Sequence, residues 1–357
     1  MDASVRMGER LRAARVRAQM SQRTLAEKVG VSHTAISKYE RGLDVPGSDV
    51  LIRLAQALGV KVEYFFRPSI VTVTVPVYRR RRALPKRARD AIIVQVQDWL
   101  ERYVEVERLF PEEQAQFQLP PEMKRRVSSL DDVEDVALAL RDHWQLGLDP
   151  LDNLAELLED RGIKVGMVEA HDKFDALTLW ADGDPVIVLR KGMPGDRQRF
   201  SMAHELGHLI LEVTEDLDEE KAANRFAAAF LVPRPAAYME LGRRRKHIYI
   251  HELHLLKHKY GLSMTAWITR ARDLNIISHA LAKRLFREFK RRNWWREEPG
   301  DPLPPEEPQR MKRLVMRALA EGIITRSRAA ELLDKSLREF WREEETRHGL
   351  IPAAVCC

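Results

Sequence analysis

Arg199-Phe-Ser-Met-Ala-His204-Glu205-Leu-Gly-His208-Leu-Ile-Leu211 holds the pattern His-Glu-x-x-His. Residues four apart on an α-helix sit about 40° from each other on the wheel, so both imidazoles reach one metal ion. Glu205 falls about 100° round from His204, beside a metal rather than on it, where a general base stands. Met202, Ala203, Leu206, Leu209 and Ile210 take the opposite side. The stretch therefore predicts a helix with a metal face and a core face.

Two histidines do not complete a catalytic zinc site, which needs three protein ligands and an open position. Downstream lies Asp216-Leu-Asp-Glu219-Glu220-Lys-Ala-Ala-Asn224-Arg-Phe-Ala-Ala-Ala-Phe-Leu-Val-Pro233. Asp216 and Glu219 read as the start of a second helix and Pro233 as its end. Glu220 and Asn224 share one face of it. Glu220 is the expected third ligand, with Glu219 and Glu215 as alternatives. Asn224 is placed to orient a ligand.

Together these two helices resemble the ImmA/IrrE metallopeptidases, over roughly 131–277. The resemblance implies a gluzincin-like zinc-peptidase domain with His204, His208 and Glu220 on Zn2+ and Glu205 as the base.

The amino-terminal 68 residues have a different rhythm. Leu11, Ala14 and Ala18 form one buried stripe. Ser21 caps a helix that Gly30 closes, Ser32 caps the next, and Gly42 ends it. Two short helices joined by a tight glycine turn describe a helix-turn-helix. Ser21-Gln-Arg-Thr-Leu-Ala-Glu-Lys-Val-Gly-Val-Ser-His-Thr-Ala-Ile-Ser-Lys-Tyr-Glu-Arg-Gly42 resembles the Cro/cI-type (Xre) repressor domains. That resemblance implies a third helix in the major groove, with Ser32, His33, Thr34 and Lys38 at base edges and Gln22 on a phosphate. It also implies a structural pair between Arg15 and Glu40. The expected partner is a double-stranded DNA operator, bound by a homodimer.

Between the two regions, Ile70–Val77 reads as an edge strand because of Pro76. Arg79–Arg82 with Lys86, Arg87 and Arg89 form a basic linker, and Ala88–Leu109 a connecting helix expected to pack on the peptidase domain or a second subunit. Val186–Leu189 is the candidate sheet edge for substrate backbone. His247, His251, His254 and His258 form a stripe whose alternatives are a solvated face, an oxyanion partner or a second metal. Gly261-Leu-Ser-Met-Thr-Ala-Trp echoes the turn at Gly30, as a second reader or as a plain turn between core helices. The expected organisation is thus 1–68 all-α DNA-binding domain, 69–130 linker and helix, 131–277 zinc peptidase, and 278–357 helical extension. The fold class is mainly α with a small sheet.

Sixty basic against fifty-four acidic residues leave +6, a mild excess that favours a polyanionic partner. No apolar run approaches the ~18 residues of a membrane span. Arginines interrupt any signal-like core at the start, and the only cysteines are Cys356 and Cys357, so no disulfide framework is expected. These features point to a cytoplasmic protein. The functional expectation is a transcriptional regulator whose peptidase domain cuts an Xre-type repressor or itself. The alternatives are a non-catalytic zinc sensor or dimerisation domain on the same regulator, and an antitoxin-type regulator.

Overall fold

Serine caps and glycine turns set the first helices in the computed structural model, which describes residues 3–67, 71–74 and 85–348, with side chains through 343. Ser21 Oγ accepts from Thr24 N at 3.0 Å and opens α2 (Gln22–Val29), which follows α1 (Ala3–Arg17). Gly30 stops α2 in the left-handed region at φ 71°, a conformation that costs a side-chained residue free energy. Ser32 Oγ then accepts from Ala35 N at 3.0 Å and opens α3 (His33–Glu40). α4 (Ser48–Leu58) and a 3-10 turn at Val62–Phe66 close a core of Leu11, Leu25, Val29, Ile36, Leu54 and Phe65. Arg15 grips Glu40 through Nε at 2.5 Å and Nη2 at 2.9 Å, the geometry of a bidentate pair.

Val73–Thr74 forms a short strand, β1, inside the expected Ile70–Val77; Ile70, 75–77 and the basic run 79–82 lie outside the described residues. Lys86, Arg87 and Arg89 open α5 (Lys86–Glu107).

The chain divides into two compact units. Of the described residues, one holds those up to Thr74, those from 85 to Gln114 and those from Gln309 onward, the other Ala115–Pro308. This placement corrects the partner expected for the connecting helix. α5 packs on α1, where Arg10 Nη2 meets Glu101 Oε2 at 2.6 Å and Arg17 Nη1 meets Asp98 Oδ2 at 3.1 Å. The extension from 278 is likewise divided rather than continuous, with 278–308 in one unit and 309 onward in the other.

The second unit begins with β2 (Arg126–Val127) and α6 (Leu130–His143), the latter opened by a capping box of Ser129 and Asp132. After α7 (Leu154–Asp160) come β3 (Lys164–Val168), β4 (Ala176–Ala181) and β5 (Asp184–Arg190). β5 pairs parallel with β3 and antiparallel with β4, so it is a central strand. The expectation that Val186–Leu189 forms an edge is therefore wrong. All four residues are fully buried, and an unbroken apolar run is what a strand covered on both faces needs.

α8 (Gly195–Ile210) runs into β6 (Glu212–Val213), which pairs with β2, and then α9 (Glu219–Leu231) packs against α8. Asp218, not Asp216, caps α9, accepting from Lys221 N at 2.8 Å. α10 (Arg234–Leu241), α11 (Ile250–Tyr260), α12 (Met264–Asp273) and α13 (His279–Arg291) complete the core around Phe226, Phe230, Leu253, Trp267 and Phe289. Arg141, fully buried, donates to the carbonyls of Gly147, Phe230 and Asp149 at 2.6–2.8 Å, and burial pulls its pKa down to about 10. The proline-rich stretch after α13 lies along the start of α8. Gly195 N donates to Leu303 O at 3.0 Å, Gln198 and Glu306 exchange two hydrogen bonds, and Arg199 pairs with Glu306 at 2.5 Å.

Back in the first unit, α14 (Arg310–Ala320), α15 (Arg326–Leu332) and α16 (Leu337–His348) bury Leu314, Val315, Ala329 and Phe340 against Val106 and Phe110 at the end of α5. No described helix is long and apolar enough to cross a membrane.

Candidate functional site

α8 presents His204 and His208 side by side, with Nε2 atoms 3.1 Å apart. Glu220, in the first turn of α9, brings Oε2 to 3.5 Å from His204 Nε2 and Oε1 to 3.6 Å from His208 Nε2. The close approach of the two helices depends on Gly207, where a Cβ would meet the Phe226 ring at 3.0 Å. His204 is buried and Glu220 exposed, so the cluster opens to solvent on the glutamate's side.

The other imidazole nitrogens are tied down. His204 Nδ1 lies 3.1 Å from Asn224 Oδ1, and His208 Nδ1 lies 3.1 Å from Glu219 Oε1. Both partners accept, so each Nδ1 carries the proton and each Nε2 turns a lone pair inward. Lone pairs that converge in this way repel unless a cation lies between them. Ligand atoms about 2.0–2.1 Å from a tetrahedral zinc are about 3.3 Å apart, and the three measured separations bracket that edge. The donor set therefore fits a metal ion.

Glu205 is 2 % exposed, and its Oε2 accepts from the hydroxyl of Thr178 on β4 at 2.7 Å. Thr178 is the residue that sequence reasoning missed. Its signal was a lone hydroxyl in the apolar strand Ala-Leu-Thr-Leu-Trp-Ala. Glu219, an alternative ligand in the sequence, instead holds His208 from behind. Among the described residues, no carboxylate other than Glu220 joins the cluster.

The histidine stripe forms no second metal cluster among the described residues. His254 packs edge-on against His258, whose Nε2 lies 3.1 Å from Asp301 O. The echo at Gly261 is a turn between core helices. Met264 and Trp267 are fully buried, and Glu298 accepts from the Met264 and Thr265 amides at 3.1 Å, covering the end of α12 that a DNA reader would leave free. At α3 the opposite holds, and Ser32, His33, Thr34 and Lys38 are all exposed. Gln22 donates one N–H to Glu40 at 2.7 Å, which fixes the side chain and leaves its second N–H for another acceptor.

An all-α helix-turn-helix unit and a His-His-Glu centre on two packed helices define a composite protein, one domain built like a DNA reader and one like a metallohydrolase. Residues 11–65 match the helix-turn-helix family and residues 158–272 match the IrrE N-terminal-like domain family. The chain thus joins an Xre-type helix-turn-helix domain to an ImmA/IrrE-like domain.

Its curated relatives share short stretches with it. They include an uncharacterized transcriptional regulator in the ATPase CF(0) region of Rhodospirillum rubrum, 42 % identical over 66 residues (18 % of this chain, 59 % of that one). Repressor protein C2 of Salmonella phage P22 is 35 % identical over 74 residues (21 % and 34 %). The HTH-type transcriptional regulator ImmR of Bacillus subtilis is 34 % identical over 58 residues (16 % and 46 %). The chain spans about half the length of the curated relatives it matches. Among solved structures, PlcR of Bacillus thuringiensis in complex with the peptide PapR7 and DNA aligns over 96 % of this chain and 98 % of its own. The identity is 13 % and the TM-score 0.17, a likeness too low to carry any argument.

Proposed function

We propose that this chain is a DNA-binding transcriptional regulator whose IrrE-like domain is a zinc-dependent endopeptidase, acting on an Xre-type repressor or on the chain itself. The observation that carries the reading is the convergence of three donor groups, two imidazoles and one carboxylate, at 3.1–3.6 Å with Glu205 one residue from the first of them. Zinc held by His204, His208 and Glu220 would polarise a peptide carbonyl and acidify water. Asn224 and Glu219 keep both imidazoles facing inward. Glu205, held by Thr178, takes a proton from the attacking water and passes it to the leaving amine. The substrate must enter extended, so the scissile segment has to leave any helix first.

Elemental analysis tests the ligand set. The purified chain should hold one zinc, and Glu220→Ala should lose it. Asn224→Ala and Glu219→Ala should each weaken zinc binding by about 10–100-fold, the usual cost of losing an orienting partner. Stoichiometric zinc in Glu220→Ala would show the third ligand to be wrong. Intact-mass spectrometry of Xre-type proteins incubated with the zinc-loaded chain tests the cleavage itself.

The DNA reading rests on the four exposed side chains of α3. Lys38→Ala should relax specificity at one base pair, at a cost of about 1–3 kcal/mol. Gln22→Ala should weaken all sequences alike, since a phosphate contact carries no base information. Titrations against an operator and its single-base variants read both effects. A chain that shifts no duplex even at low salt, where counterion release helps most, removes this half of the proposal.

A further inference from the structure

Away from the metal cluster, α13 turns a cationic face outward. Lys283, Arg287 and Lys290 recur at i, i+4 and i+7, one stripe about 10 Å long, while Leu281 and Phe289 enter the core. After Arg292 the chain turns through Asn293, which is left-handed at φ 59°. Trp294 then packs edge-on against Phe289 at 5.3 Å, and Trp295 lies over Phe286 at 5.7 Å with the planes 25° apart. Arg296 follows. Lys283, Phe286, Arg287, Lys290, Trp295 and Arg296 border a groove of about 830 Å³ with no acidic residue in its lining.

Two features of the groove are unfavourable unless something fills it. Like charges at i,i+4 repel, and a face made for solubility alone would intersperse both signs. Glu288 on the same helix does neutralise its neighbours, but it takes Arg291 and Arg292. None of Lys283, Arg287, Lys290 and Arg296 has a carboxylate partner among the described residues. The second feature is Trp295, which leaves 56 % of its surface to solvent although it lies flat on another ring. A flat exposed indole beside a row of free cations is complementary to a nucleobase followed by phosphates.

We propose that this groove binds a nucleoside di- or triphosphate, with the base on Trp295 and the phosphates along Lys283, Arg287 and Lys290. A free nucleotide fits better than a nucleic-acid strand. Strand-binding surfaces stack successive bases on successive aromatics, whereas this groove exposes one indole, Trp295, which covers Phe286, and otherwise only the imidazole of His279. Its volume lies within the range of small-molecule pockets. The site is independent of the metal cluster and stands whether or not the chain cuts peptides.

The test is calorimetry on the full chain without added metal, using ATP, inorganic tripolyphosphate and an oligothymidylate. ATP should bind saturably, one per chain. Lys283→Ala with Arg287→Ala should weaken ATP and tripolyphosphate alike by about tenfold or more. Trp295→Ala should weaken ATP about tenfold yet leave tripolyphosphate unchanged, and Trp295→Phe should restore most of the loss. All these side chains are exposed, and circular dichroism of each variant confirms its fold. Three results overturn the proposal. One is no saturable ATP binding at low salt; another is a Trp295→Ala variant that binds ATP as tightly as wild type. The third is displacement of ATP by oligothymidylate at lower concentration than ATP itself requires, which would make the groove a strand-binding face.

Discussion

Glu205→Gln should lower peptide cleavage by about 10²–10⁴-fold, the contribution of a positioned general base, and leave zinc content and operator binding unchanged. The substitution is close to isosteric. The glutamine carbonyl can still accept from Thr178 Oγ1, now 2.7 Å from Glu205 Oε2, so the side chain keeps its anchor. What changes is the other oxygen, replaced by an amide that donates where an acceptor is needed. Neither imidazole nor Glu220 is touched, and α3 lies in the other compact unit. Thr178→Val serves as the companion, since it removes the anchor and keeps the carboxylate. It should lower kcat with little effect on KM, because a base that wanders still permits substrate to bind. The measurement is appearance of fragments on a gel, alongside a reporter driven from the protein's own operator. If wild type and Glu205→Gln derepress identically under every stress tried and no fragment appears, the peptidase reading falls. A non-catalytic zinc sensor then replaces it.

Why parts of this site were legible in sequence and others were not comes down to local geometry. His204, Glu205 and His208 lie within five residues, and helical periodicity alone puts them together. Glu220 and Asn224 follow by the same rule once a second helix is granted. The phase of that helix start was harder, because Asp216, Asp218, Glu219 and Glu220 all suit a first turn and only the observed cap at Asp218 separates them. With that phase known, Glu219 faces His208 Nδ1 and Glu220 faces both Nε2 atoms. Thr178 was invisible for another reason. Its distance of 27 residues from Glu205 is bridged by sheet packing, and no spacing rule reports which strand residue points at α8. The misreading of β5 did have a local signal. Val-Ile-Val-Leu does not alternate, which is the pattern of a strand covered on both faces and more typical of a sheet's interior than of a substrate-accepting edge. The extension after 278 showed its proline-rich break, but the hydrogen bonds of Leu303 and Glu306 to the start of α8 are tertiary facts.

Glu134→Ala should destabilise the unit that holds the His-His-Glu cluster by about 3–5 kcal/mol, the cost of breaking a buried ion pair from one side. Glu134 on α6 is 4 % exposed and faces three guanidinium groups, Arg270, Arg225 and, more distantly at 3.8 Å, Arg234. Arg270 of α12, 1 % exposed, reaches both carboxylate oxygens, with Nη2 at 2.8 Å from Oε2, while Arg225 of α9 donates to Oε1 at 3.1 Å. Arg270 Nε also donates to Val232 O at 3.0 Å, just past the end of α9. One carboxylate therefore fixes α9 against α6 and α12, and α9 is the helix that carries Glu220 and Asn224. Removing it strands a buried Arg270 with one carbonyl for its charge. Since whole domains are stable by only about 5–15 kcal/mol, a loss of this size brings the unit near its threshold. The pH dependence has a definite sign. Burial raises the Glu134 pKa, but the hydrogen bonds and charges of Arg270 and Arg225 outweigh it and leave the group below the ordinary carboxylate value. A folded pKa below the unfolded one means that the stabilisation is complete above the unfolded value, about 4.3, and is lost as pH falls through the folded value. Wild type should therefore lose stability on acidification in that range, and Glu134→Ala should lose less, so the two denaturation curves converge as pH drops. Urea titrations at neutral pH and in the carboxylate range, followed by tryptophan fluorescence, read both quantities. A neutral-pH difference under about 1 kcal/mol, or a gap that widens in acid, would mean that Glu134 does not hold the helices of the His-His-Glu cluster together.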